Sequence, residues 1–368
     1  MGIFMRICLY LLGRFPRGRS NWTLLAVCIV CLTSGSVTES NCSAAESIAV
    51  HDSSDKARKV PAADVVKTVW RGKSGTLDVY DNSPSLSNIL AVNSRGHVLG
   101  MHEQLDSRIA VLNQQFFFAD STTVRTIPKL KGFTNLYCES LSDNGRVVGY
   151  ASRAPGNPDG TLTGFIWESS SGKIERLRPI AGDLVCHATD ISGDGNRIVG
   201  YSTGNEPPKI RPCIWEWDEA ASKWAVKPLP VLHDHNPYVV TGSVKISPNG
   251  KYIAACCTEK LLPNNVFDNA LFKWKIDGDD AKRTTVSEMA ARVDAVNDRG
   301  QIAGTITDAT GRFPYVTETG DKLTKIELLD GDVQGQAHAI DSSGRVYGMS
   351  DDPPGPSGGP EAFLYEEG

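Results

Sequence analysis

The chain has 368 residues, 40% of them hydrophobic and 22% charged, with a formal net charge of −5. That length leaves room for two ordinary domains or one large repeat array, so internal repeats are the first thing to seek. No basic block follows the first twenty residues, so nothing is suited to neutralise a phosphate backbone, and no nucleic acid is expected as a partner.

Arg6, Arg14, Arg17 and Arg19 precede an apolar run from Trp22 to Leu32, after which Thr33 to Ser36 are small and polar. This is the plan of a secretory signal, with a charged start, a short apolar stretch and small residues for cleavage. The earlier apolar patch Ile7 to Leu12 lengthens the segment and keeps an uncleaved anchor open. Residues 1–44 are therefore expected to be a signal peptide or N-terminal anchor, 45–62 a linker and 63–368 the folded body. Either reading places the body outside the cytoplasm: secreted, periplasmic or at the cell surface. No membrane span is expected in the mature chain unless the N-terminal segment stays as an anchor. Outside the signal region lie Cys42, Cys138, Cys186, Cys213, Cys256 and Cys257, with no spacing repeated from unit to unit, so most are expected to be small buried residues, with one bridge allowed.

One phrase then recurs about every 50 residues. It reads Ala91 to Gly100, Ser140 to Gly149, Asp190 to Gly200 with one extra residue, Lys245 to Ala254, Ala295 to Gly304 and Ala339 to Gly348. Asn, Asp and Ser favour turn backbone, and a following glycine supplies the positive φ of a tight hairpin, so each phrase is expected to be strand, turn, strand. A polar loop and an aromatic third strand follow, as in Gly164 to Trp167, Cys213 to Trp217 and Leu271 to Trp274; a fourth extended run, such as Lys173 to Leu177, completes the unit. Four strands per unit, repeated, predict an all-β propeller of six blades, with seven as the nearest alternative. The chain ends after the third strand of unit six, and Thr76 to Tyr80 is expected to supply that blade's outer strand and close the ring.

On this phrase and its aromatic strand, roughly Ser85 to Tyr365, the chain resembles the extracellular repeat family named HAF after its His-Ala-Phe tripeptide. Only Glu361-Ala362-Phe363 keeps Ala-Phe, and no unit has His there. Ser247 to Ala254 also resembles the Ser-Pro-Asp-Gly-Lys repeat of TolB-like and WD40-like blades. The resemblance implies a secreted or surface repeat protein and brings no catalytic residue.

His233, Asp234 and His235 form the sharpest metal-like cluster, two imidazoles and a carboxylate in the loop between units three and four. Alternate residues of an extended loop diverge, so a solvated cluster is the expectation, with no metal and no cofactor. Gly193 to Asn196 and Asp277 to Asp280 have calcium-like composition without EF-hand spacing and are expected to be turns. No nucleophile elbow and no phosphate-binding glycine loop is present. The most informative column lies two residues before the apolar end of each first strand: Leu90, Glu139, Thr189, Val244, Asp294 and His338, with His187 close by. At a channel mouth, Glu139, His187, Thr189, Asp294 and His338 are candidate binding residues. The expected function is an exported, non-enzymatic binding or scaffold propeller that engages a protein or polysaccharide of the cell envelope through loops on one face. The alternative is a glycoside hydrolase or lyase using Glu139 and Asp294 as its carboxylates.

Overall fold

In the computed structural model the described residues are 85–106, 111–153, 162–204, 210–230, 244–261, 267–278, 280–288, 291–318, 320–351 and 360–366. They form six antiparallel sheets in chain order, the six blades of a β-propeller, with no helix among them. Blade 1 contains β1 (Ser85–Val92), β2 (Val98–Asp106), β3 (Val111–Ala119) and β4 (Val124–Thr126). Blade 2 contains β5 (Asn135–Leu141), β6 (Arg146–Ser152), β7 (Leu162–Glu168) and β8 (Ile174–Arg176). Blade 3 contains β9 (Val185–Ile191), β10 (Arg197–Thr203), β11 (Ile210–Asp218) and β12 (Lys223–Pro228). Blade 4 contains β13 (Lys245–Ile246), β14 (Tyr252–Leu261), β15 (Phe267–Asp277) and β16 (Asp280–Ser287). Blade 5 contains β17 (Ala291–Val296), β18 (Ile302–Asp308), β19 (Gly311–Thr317) and β20 (Leu323–Lys325). Blade 6 contains β21 (Gln334–Ile340), β22 (Val346–Asp351) and β23 (Pro360–Tyr365). The closing segment expected at Thr76 to Tyr80, and the boundaries drawn at 44 and 62, lie outside the described residues.

The core lies between sheets, because each blade is apolar on both faces. Val147 of β6 packs towards blade 1 with Leu99, Phe118 and Trp167, whereas its neighbour Val148 packs towards blade 3 with Ala188, Ile198 and Trp215. The period-two alternation of a strand therefore serves two cores at once. The same arrangement links blade 3 to 4 through Val199, Ile253 and Trp274, blade 4 to 5 through Ala254, Val293 and Tyr315, and blade 5 to 6 through Ala303, Val346 and Phe363. The first strand of a blade meets its predecessor: β9 lies against β6 and β7, and β21 against β18 and β19.

The repeated phrase builds a second set of joints at the hairpin turns. Asn93 Nδ2 donates to Ser142 O (2.7 Å), Asp143 N to Gly193 O (2.9 Å) and Gly193 N to Pro248 O (2.7 Å). Asn249 N then donates to Asp298 Oδ1 (2.7 Å), and Asn297 Nδ2 to Asp341 O (2.9 Å). These bonds span all five junctions between consecutive blades. Gly193 to Asn196 is a hairpin turn, as expected, in which Asp194 Oδ1 accepts from Ser192 Oγ (2.6 Å) and Asn196 N (3.0 Å).

The strand register corrects one alignment. Ile191 pairs with Ile198 and Ile246 with Ile253, so blades 3 and 4 share the same one-residue-longer turn. Ala255, and not Ala254, therefore occupies the place of Gly200, opposite Phe272 as Gly200 is opposite Cys213. The five described cysteines are all buried and none is in a disulfide. Burial pushes the Cys186 thiol up to about 11, as expected of packing residues and not of reactive ones.

Candidate functional site

The variable column has a structural identity. In blades 1, 2, 3, 5 and 6 the first-strand register breaks at one residue: Leu90, Glu139, Thr189, Asp294 and His338. Each is the extra residue of a β-bulge, left out of the regular pairing of the ladder. The cause lies across the hairpin. A Cβ on Gly149 or Gly200 would lie 1.9 Å from Tyr137 O or His187 O, and on Gly304 2.0 Å from Arg292 O. The repeated glycine admits this close backbone approach, and the bulge is where the facing strand takes up the extra residue.

Blades 2 and 3 bring two of the expected residues together. Glu139 Oε1 lies 3.6 Å from His187 Nε2, and His187 Nδ1 is 2.5 Å from Tyr201 Oη. A row of rings runs across the junction: Tyr137 stacks on Tyr150 (4.7 Å, 16°), Tyr150 meets His187 (4.0 Å, 53°) and His187 meets Tyr201 (4.8 Å, 59°). Glu139 is exposed and the four rings are half-buried. Burial, reinforced by Tyr150 and Glu139, pushes the Tyr201 hydroxyl up to about 12, so it keeps its proton at neutral pH.

Blades 5 and 6 hold a second group. Asp294 Oδ1 pairs with Arg292 Nε (2.8 Å) and Asp294 Oδ2 accepts from Thr305 Oγ1 (3.2 Å), while Arg292 Nη2 donates to Gln336 Oε1 (3.0 Å) across the blade junction. Burial raises the Asp294 carboxyl above its ordinary value, opposed by Arg292, Thr305 and the nearby His338. Thr189 joins neither group. It is 3% exposed, and its hydroxyl donates to Val244 O (2.6 Å), tying blade 3 to blade 4.

Sequence reasoning passed over a second column, the residue after each bulge glycine and the one it pairs with. These pairs are Met101 with Asn88, Tyr150 with Tyr137, Tyr201 with His187, Thr305 with Arg292 and Met349 with Gln336. Tyr137, Tyr150, Tyr201, Arg292 and Gln336 enter the two groups from here. The signal was present in the alignment, since tyrosine follows glycine in units two and three. The His233, Asp234 and His235 cluster lies outside the described residues. Among the described residues no three His, Cys, Asp or Glu side chains are grouped to hold a metal ion.

No family model and no curated protein matches this chain. The likeness is to solved propellers. TolB from Acinetobacter baumannii is similar at 14% identity with a TM-score of 0.40, over 80% of this chain and 58% of that one. A prolyl endopeptidase is similar at 13% identity and 0.48, over 76% and 40%. The β-propeller domain of the Trilobed protease from Pyrococcus furiosus is similar at 10% identity and 0.39, over 77% and 94%. The chain thus spans about half the length of the TolB and endopeptidase chains. At these identities the likeness concerns the fold alone. Among the described residues no helix is long and apolar enough to cross a membrane.

Proposed function

We propose that this chain is an exported binding propeller that engages a polysaccharide or protein of the cell envelope through the inner ends of its blades. Residues 1–44 serve as its signal or anchor, and residues 63–368 form the propeller. The observation that carries this reading is the half-open row Tyr137, Tyr150, His187 and Tyr201 beside the exposed Glu139. Aromatic rings with polar ends, converging with one carboxylate, are the means by which rigid scaffolds hold a ligand, and a propeller supplies the scaffold. The HAF resemblance and the signal-like N-terminus point the same way on residues alone. Glu139 and Asp294 belong to different groups, one at blades 2 and 3 and the other at blades 5 and 6, and each has its own partner, His187 or Arg292. With each carboxylate engaged by its own neighbour, the binding reading is preferred to a hydrolase or lyase built on the two carboxylates together. A glycan array and an envelope pull-down on the purified mature protein test the reading; it is sustained by a specific ligand in either and overturned if both are silent.

A further inference from the structure

We infer that the turn leading into blade 2 carries a second site, one for a carboxylate-bearing polysaccharide, centred on Arg153 and Arg176. None of its residues belongs to the aromatic row. The two guanidinium carbons lie 5.1 and 5.2 Å from the centroid of one ring, that of Phe133. Arg176 is exposed at the end of β8, and Arg153 is half-buried just past β6. Neither forms an ion pair or a hydrogen bond among the described residues. Arg153 Nε is buried without a partner, which leaves its two terminal nitrogens and the Arg176 guanidinium to meet a ligand. Arginines elsewhere in the chain are treated differently: Arg146, Arg197, Arg211, Arg292 and Arg345 each pair with a carboxylate of the protein itself.

The repeat shows which group blade 2 lacks. Three equivalent turns lead into first strands, where Phe133 N donates to Leu130 O (3.0 Å), Asp183 N to Ile180 O (2.9 Å) and Asp332 N to Leu329 O (3.0 Å). Blades 3 and 6 therefore carry a carboxylate where blade 2 carries a ring. Asp183 Oδ1 accepts from Arg211 Nη2 and Asp183 Oδ2 from Ser202 Oγ, both at 2.6 Å, and Asp332 Oδ2 accepts from Ser350 Oγ. In blade 2 the acid is Phe133, and the serine two residues past the bulge glycine is Ala151. The cations stay and the protein's own anion is gone. Two guanidiniums gathered on one ring repel each other, and a carboxylate shared between them relieves that repulsion through paired N–H donors.

The turn adds charge of its own. Lys131 stands where blade 6 has Asp330 and blade 3 has Ala181, and both Lys131 and Lys129 are exposed. Glu175, beside Arg176 in β8, is taken by Lys173. In a chain of net charge −5 this local excess of cations draws an anionic polymer to one place. It forms no block in the sequence because a loop and two strand ends bring it together. The surroundings suit sugar over an acidic protein. At the residue after the turn, blades 3 and 6 expose Leu184 and Val333, whereas blade 2 has Thr134 with Asn135 exposed beside it. A protein partner docks through apolar anchors, and among the described residues no exposed large apolar side chain lies in blade 2. Hydroxyl and amide groups beside cations match the hydroxyls and carboxylates of a polyuronate.

The test uses the purified protein with hexagalacturonate, its fully methyl-esterified form and hexaglutamate, read by calorimetry at low and high salt. Hexagalacturonate is expected to bind, less tightly at high salt, and the ester to bind about tenfold more weakly or worse. Arg153→Gln and Arg176→Gln are each expected to weaken hexagalacturonate about tenfold, as loss of a charge-assisted pair requires. Lys251→Gln removes the same charge from an exposed place in the blade 4 turn and is expected to leave affinity unchanged. Arg176 is exposed, so its variant spares the core should Arg153→Gln fail to fold. No binding of hexagalacturonate, equal binding of the ester, or binding that survives Arg176→Gln overturns the inference. Hexaglutamate bound as tightly, and lost in the same variant, overturns it in favour of an acidic protein. Each of these results leaves the broader binding reading to its own array and pull-down.

Discussion

Trp167, Trp215 and Trp274 occupy the third strands of blades 2, 3 and 4, and all three are essentially buried, yet their indole nitrogens differ. Trp215 Nε1 donates to Arg178 O (2.7 Å) and Trp274 Nε1 to Pro230 O (2.8 Å), whereas Trp167 Nε1 has no partner among the described residues. Replacing each by phenylalanine removes similar volume, so the difference isolates the bond. Trp215→Phe is expected to destabilise by about 1 kcal/mol more than Trp167→Phe in denaturant melts. Asp294 offers a test in pH. Its folded-state pKa is raised by burial, so folding favours the protonated acid, and the contribution present at pH 3 is lost as pH rises through the folded value. Asp294→Asn, which cannot ionise, is expected to melt higher than the wild type at pH 7 and to lose that advantage near pH 3. A wild-type chain that gains more than the variant on going from pH 3 to pH 7 would show that Arg292 outweighs burial.

At the scale of the strand, the glycine of the repeated phrase does more than make a turn. Its neighbour at the turn, such as Gly195 at φ +73°, bends the hairpin, but Gly149 and Gly200 sit inside β6 and β10 where a side chain would collide with the facing carbonyl. Gly149→Ala is expected to cost about 3 kcal/mol, because backbone and not a flexible side chain blocks the new methyl. Ala255, the alanine at the equivalent place in blade 4, shows that this blade is built differently, and there the described first strand is only Lys245–Ile246. Strand order, turn positions and the aromatic third strand were legible in the sequence because turn chemistry and period-two alternation are local. The bulges were not. A bulge is a relation between a glycine and a carbonyl some dozen residues away, so Glu139 and Asp294 were found as a column without the reason for it. The ring row was missed for a related reason: Tyr137 and Tyr150 meet across one hairpin, but Tyr150 reaches His187 only because blade 3 is packed against blade 2. The extra turn residue of blade 4 was hidden because Ile253-Ala254-Ala255 aligns equally well one position either way.

Across the whole molecule, each blade has apolar faces that only its neighbours cover, so stability is shared between adjacent units and not held in one centre. Asn297 probes that sharing. It is 2% exposed, accepts from Arg299 N and Gln301 N (both 3.0 Å), and its amide donates to Asp341 O in the next blade. Asn297→Ala is expected to cost about 2 kcal/mol, and hydrogen exchange is expected to quicken in blades 5 and 6 while blade 2 keeps its protection. Uniform loss of protection across blades would show one cooperative unit instead.

Every link in the row of turns also runs the same way, with the earlier unit donating and the later one accepting, from Asn93 through Asn297. A polar sequence of this kind has a grammar. A unit copied whole brings an acceptor turned towards the unit before it and a donor turned towards the unit after it. A copy that begins or ends inside a turn would set donor against donor. On this polarity, duplication of a whole repeat is expected to disturb the row of turns less than one that cuts a turn.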